Sequence, residues 1–454
     1  MNKYALVFQG TAFTSKTTKE IEVLKDYLFC INEDGMISKL ISPESNEYEE
    51  IIKQYEFKDC FHRLEKGKYL LPGFVDLHVH APQWAQSGTA LDLPLYDWLN
   101  TYTFPIESKF SDIEFAEKVY DDLVRTLLAN GTTTVLYFGT VHKEASILLA
   151  EICAKKGQRG LVGKVVMDNV DQCPPNYRDK DTETALKETE EFIIAVKDLA
   201  KSAKQGVYPV VTPRFIPSCT DEALEGLGKL AAKYDTHIQS HCSESDWEHE
   251  YVINRFNKHD AFALNDFGLL QDKSIMAHCT FLSDDDAELF AKTGTAISHC
   301  PISNVFFSNG VLPVAHLHSK GIDIGFGTDI SGGFSPSLFD NARQAVISSR
   351  MLEEGVNPKL SKVTRGVPSS RITMNEAFYL ATAGGGDALS LPIGKIEENF
   401  AWDVQIIDTL NPSAKLPLFN EQLDEVFEKI MYLARPENIC EVWVQGNLVH
   451  KRSK

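Results

Sequence analysis

The stretch Leu71-Pro-Gly-Phe-Val-Asp-Leu-His-Val-His80 decides the fold. Phe74 to His80 is apolar and β-branched enough to predict a strand, and the Pro72-Gly73 turn precedes it. Because side chains alternate along a strand, His78 and His80 are expected to point to the same side. Two imidazoles at a rigid strand end can hold one metal ion, although an isolated His-x-His is more often incidental. The residues at the ends of the later strands therefore decide between a metal site and two buried histidines.

From residue 74 onward, short apolar strands alternate with helical segments. Together with the first strand they make eight, which predicts an α/β protein with a parallel (β/α)8 barrel of the TIM type. Residues 83–107 are expected to form a long loop. Gly384-Gly-Gly386 is also expected to be a loop. It is not interpreted as a nucleotide-binding turn, because it lacks the GxGxxG spacing. The later strands are expected near residues 131–137, 161–167, 207–212, 237–240, 274–277, 295–298 and 322–326.

Both ends of the chain carry signals of β-structure outside the barrel. Asp34-Gly35 and Gly446-Asn447 each predict a hairpin turn between short strands. The economical arrangement is one small β-sandwich domain built from both termini. The predicted segments are residues 1–72 and 387–454 for the sandwich and residues 73–386 for the barrel.

Composition restricts the partners of the chain. Its 454 residues include 64 acidic and 45 basic side chains, which gives a net charge of −19. This balance repels phosphate backbones and acidic lipids, so neither nucleic acid nor a membrane is an expected partner. Nine cysteines without a CxxC pair, and no signal peptide at Met1-Asn-Lys-Tyr4, indicate a cytoplasmic protein with reduced thiols.

Polar residues that can bind a metal follow several predicted strands. The first strand ends in His78 and His80, the fifth runs into His241, the sixth into His278 and the eighth into Asp329. Active sites of such barrels lie at these carboxyl ends, and scattered core histidines would not coincide with them so consistently. Imidazoles and a carboxylate suit Zn²⁺ or Fe²⁺ better than Mg²⁺ or Ca²⁺. Such a cation lowers the pKa of water from about 15.7 toward about 7, which favours hydrolysis.

Other acids and histidines need separate interpretation. Glu244 follows His241 by three residues, so it can move a proton at the same rim, although alone it could be an ordinary loop acid or a helix cap. His316 and His318 lie in a predicted helix, where positions i and i+2 diverge, and are interpreted as structural. His299 is expected to shape the rim or to pack rather than to bind the metal.

Several segments together resemble the amidohydrolase superfamily, and the resemblance covers nearly the whole chain. They are Pro72–His80, His241 with Ser243-Glu244, Ala277-His278, His299–Asn304 and Gly327–Asp329. Within the superfamily the likeness is closer to members that deaminate a purine base. That likeness is carried by His80–Gln83, Leu91–Leu95, Trp98–Pro105, Asn130–Thr134, Val162–Asp168 and Thr212–Phe215.

The resemblance implies hydrolytic deamination of guanine to xanthine and ammonia. It implies one Zn²⁺ per chain, with Fe²⁺ as the other candidate, and attack of metal-bound hydroxide on C2. Glu244 would be the proton shuttle, and His278 would polarise the attacked centre or steady the hydroxide. Asp329 would also accept a hydrogen bond from the metal-bound water. The implied metal ligands are His78, His80, His241 and Asp329.

The resemblance also implies the residues that bind the purine. Arg214 offers donors to a carbonyl oxygen and a ring nitrogen, and Phe215 offers a ring for stacking. Gln83 can both donate and accept, although Arg214 could instead form a rim salt bridge and Phe215 could belong to the core. Relatives with two metals carry a lysine at a strand end where this chain has Val211-Thr212, and Lys164 is interpreted as structural. The full implied substrate set is Gln83, Arg214, Phe215, His241, Glu244 and Asp329.

Two other functions remain compatible with the sequence. Another aminohydrolase of the superfamily would act on a pterin, a triazine, cytosine or an adenosine derivative. A non-catalytic scaffold is disfavoured because every expected metal ligand is present. The resemblance further implies a homodimer formed through the barrel helices.

Overall fold

The computed structural model describes residues 4–453, which form two eight-stranded sheets with helices around one of them. Residues 1–3 and 454 of the predicted terminal segments lie outside the described residues. The strands are β1 (Leu6–Thr14), β2 (Glu22–Ile31), β3 (Ile37–Ile41), β4 (Phe61–Arg63), β5 (Lys68–Pro72), β6 (Phe74–His80), β7 (Thr132–Phe138), β8 (Arg159–Val166), β9 (Val207–Pro213), β10 (His237–Cys242), β11 (Ser274–His278), β12 (Ala296–His299), β13 (Ile324–Phe326), β14 (Val404–Asp408), β15 (Ile439–Val444) and β16 (Asn447–Lys451).

Helices connect the strands β6 to β13 and also occur outside that sheet. None of the helices within residues 4–453 combines the length and the apolar character that crossing a bilayer requires. The α-helices are α1 (Tyr48–Tyr55), α2 (Leu95–Trp98), α3 (Phe104–Glu107), α4 (Ile113–Ala129), α5 (Lys143–Lys156), α6 (Thr182–Ala200), α7 (Asp221–Tyr234), α8 (Asp246–Phe256), α9 (Asp260–Asp266), α10 (Asp284–Thr293), α11 (Pro301–Phe306), α12 (Val314–Ser319), α13 (Leu338–Glu354), α14 (Met374–Ala381), α15 (Ala383–Ala388) and α16 (Leu423–Leu433).

The eight strands β6 to β13 lie side by side in chain order and form a nearly closed parallel barrel. A parallel bridge between Val79 and Ile330 joins the first strand to the segment after the last one. The His80 N–H also donates to the Ile330 carbonyl over 2.8 Å. Every residue of β6, β7 and β8 is buried, as expected for strands covered on both faces. This architecture confirms the predicted (β/α)8 barrel.

The second sheet is built from both ends of the described chain, as predicted. Its strand order is β16-β15-β14-β5-β1-β2-β3, and β4 pairs with β1. The aromatic side chains Phe8, Phe29, Trp402 and Trp443 fill the core on one of its faces. The exact domain boundaries at residues 73 and 386 stay a prediction.

Gly73 alone connects the two sheets between β5 and β6. A Cβ atom at this position would lie 2.2 Å from the side chain of Thr133, so only glycine fits between the strands. The Gly73 N–H donates to the Asp403 carbonyl over 2.8 Å. The strand that carries His78 and His80 is thereby continuous with the terminal sheet.

Two predictions about irregular segments are wrong. Residues 384–386 are not a loop but part of α15, which packs so closely beneath the barrel that a Cβ on Gly385 would lie 2.6 Å from the Cβ of Val75. Glycine's poor helix propensity is outweighed here by the close approach it permits. Residues 83–107 are not one long loop, because they contain α2, α3 and a π-helical turn at Leu99–Thr103.

Candidate active site

The four predicted metal ligands meet at the carboxyl ends of the barrel strands. Nε2 of His78 and Nε2 of His80 lie 3.2 Å and 3.6 Å from Oδ1 of Asp329. Nε2 of His80 lies 3.1 Å from Nε2 of His241. All four side chains are buried. Two overlapping sets of possible ligand atoms, each within 4.8 Å of one another, are His78 with His80 and Asp329, and His78 with His241 and His278.

The hydrogen bonds of these histidines direct imidazole lone pairs toward a common point. Nδ1 of His241 lies 2.6 Å from the Arg214 carbonyl, and Nδ1 of His278 lies 2.8 Å from Oδ1 of Asn304. Both Nδ1 atoms therefore carry the proton, which leaves each Nε2 as an acceptor. Nε2 of His78 and of His278 has no hydrogen-bond partner among the described residues.

Burial keeps these imidazoles neutral. It lowers the pKa of His78, His80 and His241 well below the usual value, and neighbouring positive groups lower it further. Metal ligation requires the neutral ring. Buried, neutral and convergent nitrogen atoms next to a carboxylate therefore fit a transition-metal cation. Their roles as ligands stay a prediction.

The backbone turns sharply where several strands reach the site. Ser243, His278 and Asp329 adopt left-handed φ angles of 49°, 68° and 51°. Non-glycine residues occupy this region at a cost of order 1–3 kcal/mol each, and such residues cluster at functional sites. The Asp329 N–H donates to the His78 carbonyl over 2.8 Å and secures this turn.

Asp76 lies beneath the site and was not singled out from the sequence. Its carboxylate accepts from the Thr328 N–H at 2.9 Å, from Oγ1 of Thr328 at 2.6 Å and from the His78 N–H at 3.2 Å. Burial raises its pKa to about 7. The alternation that aligns His78 with His80 also places Asp76 on their side, which is the signal that could have found it.

Glu244 is buried beside the histidine cluster. Its Oε1 lies 3.7 Å from Nε2 of His278 and accepts from Nδ2 of Asn309 at 3.3 Å. Its backbone N–H donates to Oε2 of Glu248 over 2.7 Å. Burial raises the pKa of Glu244 to about 8, and the charge of Asp329 adds to this effect. A carboxyl group that titrates near neutral pH can both accept and return a proton.

A cavity opens beside these groups, and aromatic side chains contribute to its walls. Phe215 and Trp247 form an aromatic pair with centroids 5.8 Å apart, and Trp98 and Phe307 form another at 5.5 Å. Apolar walls with a few polar groups are typical of small-molecule sites. The cavity is lined by His80, Gln83, Leu95, Trp98, Leu99, Arg214, Phe215, His241, Glu244, Phe307, Asp329 and Gly332.

Glu107 joins two of the predicted substrate residues and was missed by the sequence interpretation. Its carboxylate accepts from Nη1 of Arg214 at 2.7 Å, from Nη2 of Arg214 at 3.2 Å and from Nε2 of Gln83 at 2.8 Å. Burial disfavours the charged form of Arg214, but the Glu107 carboxylate beside it favours that form, and the pKa of Arg214 is raised. Arg214 thus lines the cavity and also forms an ion pair.

Of the remaining candidate residues, Lys164 and His316 have partners of their own, and His299 is buried. Nζ of Lys164 pairs with Asp179 at 2.7 Å inside the protein. Nε2 of His316 lies 2.7 Å from Asp284. His299 is buried, and burial lowers its pKa to about 3. None of these side chains belongs to either of the two possible ligand sets in residues 4–453.

The profile of the amidohydrolase family matches residues 69–449. The chain belongs to the amidohydrolase family. It is therefore a hydrolase that acts on C–N bonds, in a family that is generally metal-dependent.

Relatives of known activity and known structure match over almost the full length. The guanine deaminase of Mus musculus is 40% identical over 98% of this chain and 96% of its own length. The guanine deaminase of Homo sapiens is 38% identical over 99% of this chain and 97% of its own. The guanine deaminase of C. acetobutylicum, whose structure has guanine bound in the active site, matches with a TM-score of 0.86. It is 32% identical and aligns over 98% of this chain and all of that one.

Proposed function

We propose that this chain catalyses the zinc-dependent hydrolytic deamination of guanine to xanthine and ammonia. The observation that carries the proposal is the convergence of three neutral imidazoles and Asp329 beside a cavity with an Arg214–Gln83 wall. The guanine deaminase relatives support the choice of base.

The metal would be held by four side chains. His78, His80, His241 and Asp329 offer three nitrogen atoms and one oxygen atom, a donor set that suits Zn²⁺ and also admits Fe²⁺. When bound, such a cation lowers the pKa of water and makes it nucleophilic at neutral pH. One metal per chain is proposed, because Val211-Thr212 stands where relatives with two metals carry a lysine. Lys164 does not replace that lysine, since it is already paired with Asp179.

Glu244 would move the protons of the reaction. Its carboxylate would take one proton from the attacking water and deliver it to N3 of the purine. It would then take the second proton, now on the C2 hydroxyl, and deliver it to the C2 amino group, which leaves as ammonia while the C2–O bond becomes a carbonyl. Its raised pKa of about 8 is compatible with both directions of transfer. Asp329 would orient the same water by accepting a hydrogen bond from it.

His278 would steady the water rather than polarise the base. Its Nδ1–H donates to Asn304, so the neutral ring presents Nε2 only as an acceptor. Burial lowers the pKa of His278, which keeps the ring neutral. With one O–H directed to Glu244, the other O–H of the attacking water can donate either to Asp329 or to Nε2 of His278.

The cavity walls would hold the purine ring. Arg214 and Gln83 supply N–H donors to the carbonyl side of the base, and Phe215 packs against its face. These N–H donors would distinguish guanine, which has a carbonyl oxygen at C6, from adenosine-type substrates, which have an amino group there.

The test is ammonia release from guanine with metal content measured on the same sample. We expect turnover and about one zinc per chain, and faster turnover of guanine than of a pterin, a triazine, cytosine or adenosine. Metal-loaded protein that releases no ammonia from guanine would overturn the proposal. No ammonia from any of these compounds would favour a scaffold.

A cytoplasmic location and a homodimer are also proposed. No disulfide joins two cysteines within the described chain, which suits a reducing compartment. Sedimentation at several protein concentrations would test the dimer.

A further inference from the structure

Glu107 is a completely buried acid whose hydrogen bonds go to residues of the cavity wall. It ends α3, its side chain has no exposed surface, and its two oxygen atoms accept three hydrogen bonds from Arg214 and Gln83. An acid needed only to neutralise a buried arginine would not also have to bind Gln83. The additional bond indicates that Glu107 organises the wall.

The bond from Gln83 fixes which end of its amide group faces which neighbour. Nε2 donates to Glu107 at 2.8 Å, and Oε1 accepts the Ser331 N–H at 3.2 Å. A rotation of the amide by 180° would place Nε2 against the Ser331 N–H and Oε1 against the Glu107 carboxylate. Both contacts would then be repulsive, so only one orientation is stable.

The guanidinium of Arg214 is fixed in the same way. Glu107 binds both of its terminal nitrogen atoms, and the ring of Phe104 lies 5.0 Å from the guanidinium carbon. A planar fork held by a carboxylate and an aromatic face has one orientation. Apart from Glu107, Nη1 contacts the sulfur of Met167 at 3.8 Å, and both Arg214 and Gln83 line the cavity, so the N–H groups that remain free can meet a ligand.

We propose that Glu107 is a positioning residue that makes the cavity select purines with a carbonyl oxygen at C6. This inference rests on the proposed function. A carbonyl oxygen accepts from the fixed donors, whereas a hydrogen or an amino group at C6 leaves buried N–H groups without an acceptor. A site built to bond one polar group rejects ligands that lack it strongly.

The substitution Glu107→Gln tests this role with little change in volume. Whichever way the new amide turns, its NH₂ group faces a donor. It faces Nη1 of Arg214 if the amide oxygen takes the place of Oε1, and both Nη2 of Arg214 and Nε2 of Gln83 if the oxygen takes the place of Oε2, so the fixed wall is disturbed in either case. The probes are hypoxanthine, which has the C6 oxygen, and unsubstituted purine, which lacks it. Neither carries the C2 amino group, so calorimetry on the zinc-loaded protein measures binding alone.

We expect the unaltered protein to bind hypoxanthine at least tenfold more tightly than purine. In Glu107→Gln this preference should fall to less than threefold, mainly through weaker binding of hypoxanthine. The kcat/KM for guanine should fall by on the order of 100-fold. Glu107→Asp keeps the charge and should retain an intermediate preference, and it also serves if the glutamine variant does not fold.

Asp403→Asn is the matched control. Asp403 is likewise a buried acid paired with an arginine, Arg159, but at the other end of the barrel. It should lower stability without changing the ratio of the two binding constants. An unchanged ratio in both Glu107 variants, or an equal change in Asp403→Asn, would overturn the inference. Failure of the proposed function would instead appear in the unaltered protein, as no ammonia from guanine.

Discussion

The two ends of the barrel both bury polar groups, but the chemistry of those groups differs. At the amino ends of the strands, Asp403 accepts from Arg159 and from the Gln445 N–H at 2.8 Å, and Arg159 also donates to Oε1 of Gln445 at 2.7 Å. At the carboxyl ends, Nε2 of His78 and of His278 has no hydrogen-bond partner within residues 4–453, and both atoms belong to a set of possible metal-ligand atoms. Buried polar atoms are nearly always satisfied in native proteins, so an exception needs an explanation. Burial of charge alone does not mark a functional site, whereas a cluster of unpaired imidazole nitrogens beside a carboxylate does.

Glu244→Gln should produce the largest effect and should confine it to the carboxyl end. The amide cannot accept the proton of the attacking water, so kcat should fall by on the order of 10²–10⁴-fold. Zinc content and the melting temperature should stay close to those of the unaltered protein, because Glu244 is not a proposed ligand. Steady-state kinetics with guanine, combined with metal analysis, measures both. A variant that keeps more than half of the original rate would remove Glu244 from proton transfer.

Asp403→Asn should have the opposite profile. It leaves the Arg159 guanidinium buried without its carboxylate, so the free energy of unfolding should fall by about 3–5 kcal/mol. The kcat of the folded protein should be unchanged. Urea denaturation and guanine turnover on the same preparation test the pair of outcomes. Loss of turnover in a folded variant would contradict the separation between the two ends.

Gly385→Ala tests whether the floor of the barrel is as closely packed as its geometry indicates. The new methyl group would lie 2.6 Å from Cβ and 2.7 Å from Cγ1 of Val75, so the strand or the helix must shift. Overpacking of this kind costs about 1–3 kcal/mol of unfolding free energy. Chemical denaturation is the measurement, and Ala383, already present at the start of the same helix, shows that alanine itself is tolerated there. An equally stable variant would mean that α15 can move away freely.

His299→Gln should change the response to acid, which is the smallest of the four effects. Burial lowers the pKa of His299 to about 3, so the folded protein keeps this ring neutral while the unfolded chain takes up a proton below about pH 6.5. The free energy of unfolding therefore falls as the pH drops below about 6.5. This histidine accounts for about 1.5 kcal/mol of that fall between pH 6.5 and 5. The variant should lose that much less over the same interval in urea titrations. Identical losses would show that His299 is not a source of acid sensitivity.

The sequence predicts the barrel and the meeting of the predicted ligands because both depend on local patterns. A strand such as β6 is recognisable from its apolar run, and His78 and His80 come at its carboxyl end. A parallel barrel then brings all such ends together without further information. The residues that position the predicted substrate-binding side chains could not be predicted in this way.

Glu107 and Asn309 could not be assigned from sequence because their partners are distant and their own segments are irregular. Glu107 ends a four-residue helix, yet its contacts lie on β6's outgoing turn and after β9. Asn309 contacts Glu244 from a turn after α11. Nothing periodic in these segments indicates burial. Residues 384–386 show the same limitation, because their helix is imposed by packing and not by propensity.

The single-residue link at Gly73 also constrains how the protein is made. Leu70 in β5 pairs with Ala12 on one side and with Ile406 on the other. During translation, Ile406 leaves the ribosome only after every barrel strand has been synthesised. Until then β5, which leads into His78 and His80, has one unpaired edge. Its pairing with β14 can form only after all the barrel strands have been made.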